Sequence, residues 1–287
     1  SRSSQFKLHY QYREYHFKPE ELHHSGPEKP RVDITKIHAS QDVLGLVLAF
    51  HVSFGIPARK TAQILRSIFG VKISYQTVLN YAQAAAYYCH EFNLNRKGEI
   101  NDINAGDETY IKIQGKHAYV FFFVSTDNHK ITSYHVADSR GTLPATVSML
   151  EACRTARKDQ ILSFITDGNP AYPAGLHFIN KQRPHNPIIH HKVVGLQNLD
   201  EESELYRRYK QIIERLNRTY KAHVRPAHGF NRPNGALALT TLFVTHYNFL
   251  RPHRSLGHHV PCPIPELDAI STLQGKWNKI LSLALTA

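Results

Sequence analysis

Three strand-like segments that follow one another with almost no connecting residues constrain the fold of this chain most strongly. They are GDETYIKIQ (106–114), KHAYVFFFVSTD (116–127) and KITSYHVADS (130–139), all rich in β-branched and aromatic residues. Links this short predict hairpins. Helix-like and strand-like segments then alternate: TLPATVSMLEACRTAR, QILSFITD, PAYPAGLHFINK and NPIIHHKVV. An antiparallel trio followed by this alternation predicts an α/β fold, with a five-stranded mixed sheet flanked by helices.

The residues ahead of the sheet have a helical pattern. The segment QDVLGLVLAFHV ends near Gly55, Pro57 suits the first turn of a second helix, and Gly70 ends that helix. Ser74 is a good N-cap for a third helix, YQTVLNYAQAAAYYCHEF. A short turn followed by a helix that opens Ser-Tyr-Gln-Thr matches the helix-turn-helix plan. Three packed helices of an ordinary α domain are the alternative.

The helix-turn-helix interpretation predicts particular DNA contacts. The candidates for base edges or phosphates lie at the start of the second helix of the motif: Tyr75, Gln76, Thr77 and Asn80. Three basic residues are expected near the DNA backbone: Arg59, Lys60 and Lys72.

Changes in composition divide the chain into four segments. Residues 1–40 are polar and predict an N-terminal arm or linker; residues 41–98 hold the helix-turn-helix module. Residues 99–260 form the α/β domain, and residues 261–287 form a tail with a short amphipathic helix. Because the chain begins with Ser1 and its one methionine is Met149, we expect further sequence ahead of it.

The charge balance predicts a polyanionic partner. Thirty-five Lys and Arg against 23 Asp and Glu give a formal net charge of +12, which most often indicates nucleic acid. The longest apolar stretches are interrupted by His51 and His246 and fall short of the roughly 20 residues of a membrane span. Without a secretory signal pattern, a cytoplasmic, nucleoid-associated protein with no membrane partner is expected.

Cysteine and histidine do not predict a metal cluster. Cys89, Cys153 and Cys262 are far apart and form no CxxC pair, so neither a disulfide framework nor a cysteine zinc site is indicated. The 20 histidines are scattered, and we expect them mainly at the surface or against phosphates.

Two aspartates stand where predicted strands begin or end. Asp107 begins the first strand and Asp167 ends the fourth. If these two strands are neighbours, both carboxylates meet at one edge of the sheet, and carboxylates are the ligands that Mg²⁺ prefers. Simpler interpretations remain: Asp-Gly is a common turn pair, and Asp107 could cap the strand start.

A third carboxylate would complete a two-metal site. Between Leu205 and Val260 there are ten Lys and Arg but one acid, Glu214. Arg218 and Lys221 share its helix face, where they could hold phosphates. Alternatively, Glu214 pairs with Arg218 or Arg215 on an exposed helix. Rival acids form a cluster typical of a solvated helix start: Glu201, Glu202 and Glu204.

Four motifs in this order make the chain similar to the DDE transposases of bacterial insertion sequences, whose catalytic domain has the ribonuclease H and integrase fold. They are GDETYIKIQGKHAYVFFFVSTDN, TDGNPAYPAGL, IIERLNRTYKAHVRPAHGF and HYNFLRPHRSLG, and with YQTVLNYAQ they extend over residues 42–260. The resemblance implies that Asp107, Asp167 and Glu214 bind Mg²⁺, with Mn²⁺ as a substitute. It gives Lys221 the place of a residue that touches the transposon end. Further candidate DNA contacts on the same helix are Arg215, Arg218 and Arg225.

The activity implied is binding of terminal inverted repeats, followed by Mg²⁺-dependent DNA cleavage and strand transfer by a homodimer or higher oligomer. A DNA-binding regulator that keeps the fold without transposition is the alternative, and a ribonuclease H-like nuclease is a third.

Two departures from the family pattern stand out. The 46 residues between Asp167 and Glu214 (214 − 167 − 1) exceed the usual spacing, which indicates an insertion around VVGLQNLDEESELYRRYK; a different alignment would make Glu202 the third ligand. Many relatives carry an N-terminal cysteine zinc ribbon, but QFKLHYQYREYHFKPE in a comparable place lacks cysteine, so zinc binding by this segment is not supported; the expected sequence ahead of Ser1 leaves it open.

Overall fold

The computed structural model describes residues 26–37, 41–195 and 200–286, together with positions 18 and 22. Most of the predicted arm at residues 1–40 lies outside these ranges, as does nearly all of the segment QFKLHYQYREYHFKPE. The side chain of Glu202 also lies outside them.

A five-stranded mixed sheet forms the centre of the α/β part, as predicted. Its strands are β1 (Ile103–Ile113), β2 (Lys116–Ser125), β3 (Ile131–Ala137), β4 (Ser163–Thr166) and β5 (Ile189–Lys192), in the order β3-β2-β1-β4-β5. The first three strands are antiparallel, and β4 and β5 run parallel to β1. Gln114 and Gly115 connect β1 to β2 with φ angles of 51° and 75°, as a tight hairpin turn requires.

Helices cover both faces of the sheet because β2 is apolar on both sides. Helices α4 (Thr142–Cys153) and α5 (Ala171–Lys181) enclose Phe121 and Phe123 on one face. On the other face, Phe122 packs under α6 (Glu201–Val224) and α7 (Pro233–Phe249). The three phenylalanines, adjacent in sequence, are completely buried, so alternation along the strand gives each face its own core.

The N-terminal helices form a layer of their own, and the predicted helical pattern is confirmed. The layer contains α1 (Gln41–Leu48), a π-turn (Ala49–Ser53), α2 (Ala58–Phe69), α3 (Tyr75–Arg96) and the C-terminal α8 (Leu273–Leu285). Trp277 of α8 is completely buried in the same core as Leu48, Leu65 and Phe92. Gly70 ends α2 with a φ of 68°, and Ser74 caps α3 by accepting a hydrogen bond from the Thr77 amide at 3.0 Å.

A buried polar seam joins α3 to α7 and the sheet. Asn93 on α3 donates to the carbonyl of Thr241 at 3.1 Å and accepts from the hydroxyl of Thr245 at 2.9 Å. His90 Nδ1 lies 2.9 Å from the hydroxyl of Tyr134 on β3. Since each of these groups would be costly to bury without a partner, the seam fixes one position of α3 against the sheet.

His90 is buried and His135, His223 and His246 are partly buried, contrary to the expectation of a mainly surface location. Desolvation lowers the pKa of His90, His135 and His223 to about 4, and that of His246 to about 3. These side chains therefore carry no charge at neutral pH and serve packing. Cys89, Cys153 and Cys262 are free thiols. No helix within the described ranges has the length and apolar character needed to cross a bilayer.

Candidate active site

Asp107 and Asp167 meet at the carboxyl end of β4. The parallel register pairs Ile103 with Ser163 and Ala105 with Ile165. Continuing it by two residues brings Asp107 level with Asp167. One carboxylate oxygen of each, with one from Glu108, lies within 4.8 Å of the others. The predicted meeting of the two aspartates is therefore observed.

The expected place of Asp107 at the start of β1 is wrong. The strand begins four residues earlier, at Ile103, so Asp107 lies in its middle. Asn104 gives β1 a polar beginning but is completely buried, where its amide donates to the carbonyl of Asn101 at 2.7 Å. Because β4 is short, its end falls beside the middle of the longer β1.

Two residues of α6 hold the Asp107 carboxylate. Lys210 Nζ lies 3.3 Å from Asp107 Oδ2, and the Asn217 amide donates to the same oxygen at 3.0 Å. Burial raises the pKa of Asp107 to about 6, Lys210 opposes the shift, and the neighbouring charges of Glu108 and Asp167 add to it. The site therefore holds more negative charge than its one buried lysine balances.

Glu214 lies on the face of α6 that points toward Asp107. It is four residues after Lys210 and three before Asn217, and residues so spaced share one side of a helix. Glu214 is half-buried, but it is not a member of the group within 4.8 Å. In the part of the chain that the structure describes, it makes no ion pair with Arg215 or Arg218. The simpler interpretation of this acid is therefore not observed.

Glu108 is a member of the acidic group that the sequence did not single out. Its side chain is 3% exposed. Its carboxylate accepts from the Tyr172 hydroxyl at 2.6 Å, from Arg140 Nε at 2.7 Å and from the Asn169 amide at 3.3 Å. Neighbouring residues of a strand point to opposite faces, so Glu108 faces α5 whereas Asp107 faces α6. Its position directly after Asp107 was the one feature of the sequence that could have indicated its place in the acidic group.

Asp167 serves a turn as well as the acidic group. Its Oδ1 accepts from the backbone amide of Asn169 at 2.9 Å, as the turn interpretation predicts. Its Oδ2 lies 3.9 Å from Arg140 Nη2, and the side chain is 30% exposed. One oxygen therefore fixes the loop while the other remains on the accessible side.

The candidate DNA contacts Arg215, Arg218 and Lys221 on α6 are exposed, as is Arg225. Arg225 lies one residue beyond the end of the helix, contrary to the expectation that it is on the helix. On the N-terminal helices, Tyr75 and Gln76 are exposed while Thr77 and Asn80 are half-buried. The Gln76 amide donates to Asn80 Oδ1 at 2.9 Å, and the Arg59 guanidinium lies 4.3 Å from the centre of the Tyr75 ring. Lys60 and Lys72 are exposed. Both sets of residues are accessible to a ligand.

The donor set fits a hard divalent cation. Among the residues that the structure describes, Asp107, Glu108 and Asp167 are the one group of three or more acids, histidines or cysteines with ligand atoms this close. Carboxylate oxygens are typical ligands of Mg²⁺ and Mn²⁺. The rivals Glu201 and Glu204 are exposed at the start of α6, where Asp200 caps the helix.

The sheet order, the helices on both faces and the acids beside β4 define a ribonuclease H-like fold of the integrase type. Comparison with protein families agrees: residues 104–233 match the family described as "DDE domain", and residues 207–261 match the "Integrase core domain". Both matched segments lie mainly in the α/β part of the chain and support a DDE transposase. All three predicted metal ligands lie in the first matched segment.

Among solved structures, similar chains come from an HTLV-2 integrase, a simian T-cell lymphotropic virus intasome and the Mos1 strand transfer complex. The magnesium complex of the HTLV-2 integrase catalytic core domain (trimeric form) is 20% identical, with 56% of this chain and 98% of that chain covered and a TM-score of 0.35. The simian T-cell lymphotropic virus intasome in complex with PP2A regulatory subunit B56 gamma is 19% identical. The match covers 79% of this chain and 80% of that chain, with a TM-score of 0.40. The Mos1 strand transfer complex is 10% identical. The match covers 71% of this chain and 83% of that chain, with a TM-score of 0.22. At these TM-scores the assignment rests on the sheet topology and the matched families. No curated protein sequence matches the chain.

Proposed function

We propose that this protein binds the terminal inverted repeats of an insertion sequence, cleaves the DNA at their ends and joins them to target DNA. One observation supports the proposal most: Asp107 and Asp167 meet at the sheet edge. Glu214 is proposed to join them because it lies on α6 between Lys210 and Asn217, which both contact Asp107. The family match gives the class of reaction, a polynucleotidyl transfer.

Asp107, Asp167 and Glu214 would hold the divalent cations, Mg²⁺ or, as a substitute, Mn²⁺. When bound, such cations activate the attacking oxygen and stabilise the leaving oxygen of a phosphodiester. The rest of the site positions these ligands. Asn217 and Lys210 fix Asp107 from α6, and the turn amide of Asn169 fixes Asp167.

Exposed basic residues would bind the DNA around this centre. Arg215, Arg218 and Lys221 lie along the helix that carries Glu214, and Arg225 follows its last residue, so their charges would neutralise phosphates beside the reacting bond. The start of α3, with Tyr75, Gln76, Thr77 and Asn80, would read the inverted repeat in the major groove. Joining two ends requires two sites, so we propose a homodimer or higher oligomer.

A strand-transfer assay tests the proposal. Labelled DNA from the ends of the element is incubated with the protein and Mg²⁺, comparing wild type with Asp167→Asn and with the control Asp159→Asn, an exposed aspartate outside the acidic group. We expect Asp167→Asn to bind DNA but neither cleave nor join it, and Asp159→Asn to behave as wild type.

Other outcomes identify the competing functions. Undiminished cleavage by Asp167→Asn would remove the proposed site. Specific binding of the repeats without cleavage by wild type would favour a DNA-binding regulator, and cutting of RNA in a hybrid would favour a nuclease. Equal affinity for random DNA at moderate salt would argue against sequence reading by α3.

A further inference from the structure

An exposed stack of three side chains lies beside the acidic residues. Tyr110 of β1 is 53% exposed. Lys221 Nζ from α6 lies 4.4 Å from the centre of its ring. The ring of His117 from β2 lies 5.3 Å from that of Tyr110, with 13° between the two planes. We call these three residues the Tyr110 stack.

The stack lies where β1 extends beyond β4. Residues 103–105 of β1 pair with β4, and Ile113 at the other end of β1 forms a bridge with Phe230. Between these points, within the described residues, β1 pairs with β2 alone. Its free edge is therefore open, and Lys221 reaches Tyr110 across it from the helix that carries Glu214.

The position relates the stack to the acids. Tyr110 is three residues after Asp107, about 10 Å along an extended strand, and this odd spacing puts it on the Glu108 face of the sheet. Lys221 therefore reaches it from α6 around the free edge of β1. Lys221 is seven residues after Glu214, two turns along α6, and so lies on a similar side of that helix. A DNA strand with a phosphate at the acids would therefore extend a neighbouring nucleotide toward Tyr110.

The chemistry of the stack suits a nucleobase. Proteins bind unpaired nucleotides by pairing aromatic rings, on which bases stack, with cations that contact the phosphates. The His117 ring is nearly parallel to the Tyr110 ring, so this face of Tyr110 accepts a stacked planar ring. His117 is itself exposed. Lys112 and Lys116 on the same hairpin are also exposed and add positive charge.

We propose that Tyr110 binds an unpaired nucleobase of the DNA strand next to the cleaved phosphate, in the place that the His117 ring occupies in the free protein, while Lys221 contacts the adjoining phosphate. This inference rests on the proposed function, because the base belongs to the DNA bound there. It adds a requirement for a locally unpaired end, which the acidic residues alone do not impose.

Fluorescence of 2-aminopurine tests the stacking directly. The probe is a DNA duplex with a short single-stranded end that carries 2-aminopurine, and the matched probe is the same duplex fully paired. Titrations without divalent metal compare wild type with Tyr110→Phe and Tyr110→Ala. The matched control is Tyr87→Ala, which alters another exposed tyrosine (36%) on α3.

We expect wild type, Tyr110→Phe and Tyr87→Ala to quench the unpaired probe with similar affinity. Tyr110→Ala should bind it roughly 5- to 150-fold more weakly, the usual effect of removing one stacking ring. The proposal is overturned if Tyr110→Ala quenches with wild-type affinity, or if the fully paired probe is quenched equally.

The two proposals fail in different ways. Quenching that depends on Tyr110, in a protein that never cleaves DNA, would leave the base site in place and refute the proposed function. Cleavage that requires Asp167, with quenching indifferent to Tyr110, would keep the function and refute the base site.

Discussion

Glu108 provides a test of which members of the acidic group bind metal and which position the others. Its carboxylate accepts from Tyr172, Arg140 and Asn169, and the side chain is almost completely buried. With its oxygens engaged on the α5 side of the sheet, Glu108 should position the loop of Asp167 and not bind metal. Glu108→Gln keeps the shape of the side chain and removes its charge.

The structure sets the size of the effect. In Glu108→Gln the amide oxygen can still accept from Arg140 and Asn169. The amide NH₂ group then faces the Tyr172 hydroxyl, which loses the carboxylate oxygen to which it donates. A buried hydrogen bond to a charged group contributes about 1.5–3 kcal/mol. The Arg140 ion pair adds little, because that side chain is 48% exposed and screened by solvent. We expect the free energy of unfolding to fall by about 2 kcal/mol.

Calorimetric titration with Mn²⁺ and urea denaturation provide the two measurements. Glu108→Gln should lose stability but bind Mn²⁺ within about tenfold of wild type, a change of less than about 1.4 kcal/mol. Asp167→Asn should lose metal binding instead. Tyr172→Phe is the matched control, since it removes the same hydrogen bond from the other side. If Glu108→Gln loses Mn²⁺ binding as completely as Asp167→Asn, the prediction that Glu108 is dispensable for metal binding is refuted.

Two further predictions concern stability. As the pH is lowered from about 6.5 to about 4, the free energy of unfolding should fall, because His90, His135 and His223 have a pKa of about 4 when folded. In that range the unfolded chain binds more protons than the folded chain, so each histidine lowers the free energy of unfolding by up to about 3 kcal/mol. A urea midpoint independent of pH would contradict this. Gly106→Ala should cost about 1–3 kcal/mol and slow strand transfer, because a Cβ there would lie 2.3 Å from Phe123 Cε1 beside Asp107. Gly141→Ala, whose Cβ meets nothing nearer than 3.8 Å, is the control, and equal urea midpoints for the two variants would exclude the clash.

The sheet and α6 could be predicted from sequence because local signals agree there. The β-branched and aromatic runs, the short turns and the helical pattern each persist over many residues. The meeting of Asp107 with Asp167 was expected on the condition that the first and fourth strands are neighbours, and the pairing of β1 with β4 meets that condition.

The surroundings of Glu108 could not be predicted in this way. Its partners lie 32, 61 and 64 residues away in sequence, so no local pattern relates Arg140, Asn169 or Tyr172 to it. The start of β1 was missed for a related reason: Asn104 is polar, and the partners that allow its burial emerge in the folded chain. The buried histidines show the same limit.

Helix α3 has a consequence for how the protein would hold DNA. Its first turn begins at the Ser74 cap, and near its other end Asn93 is fastened to α7 by the buried seam. Its 22 residues form one continuous rod of about 33 Å, close to the rise of ten base pairs at about 3.4 Å each. Because the seam holds the far end of α3 against α7 and the sheet, the bases that its first turn would read stay at a fixed distance from the sheet.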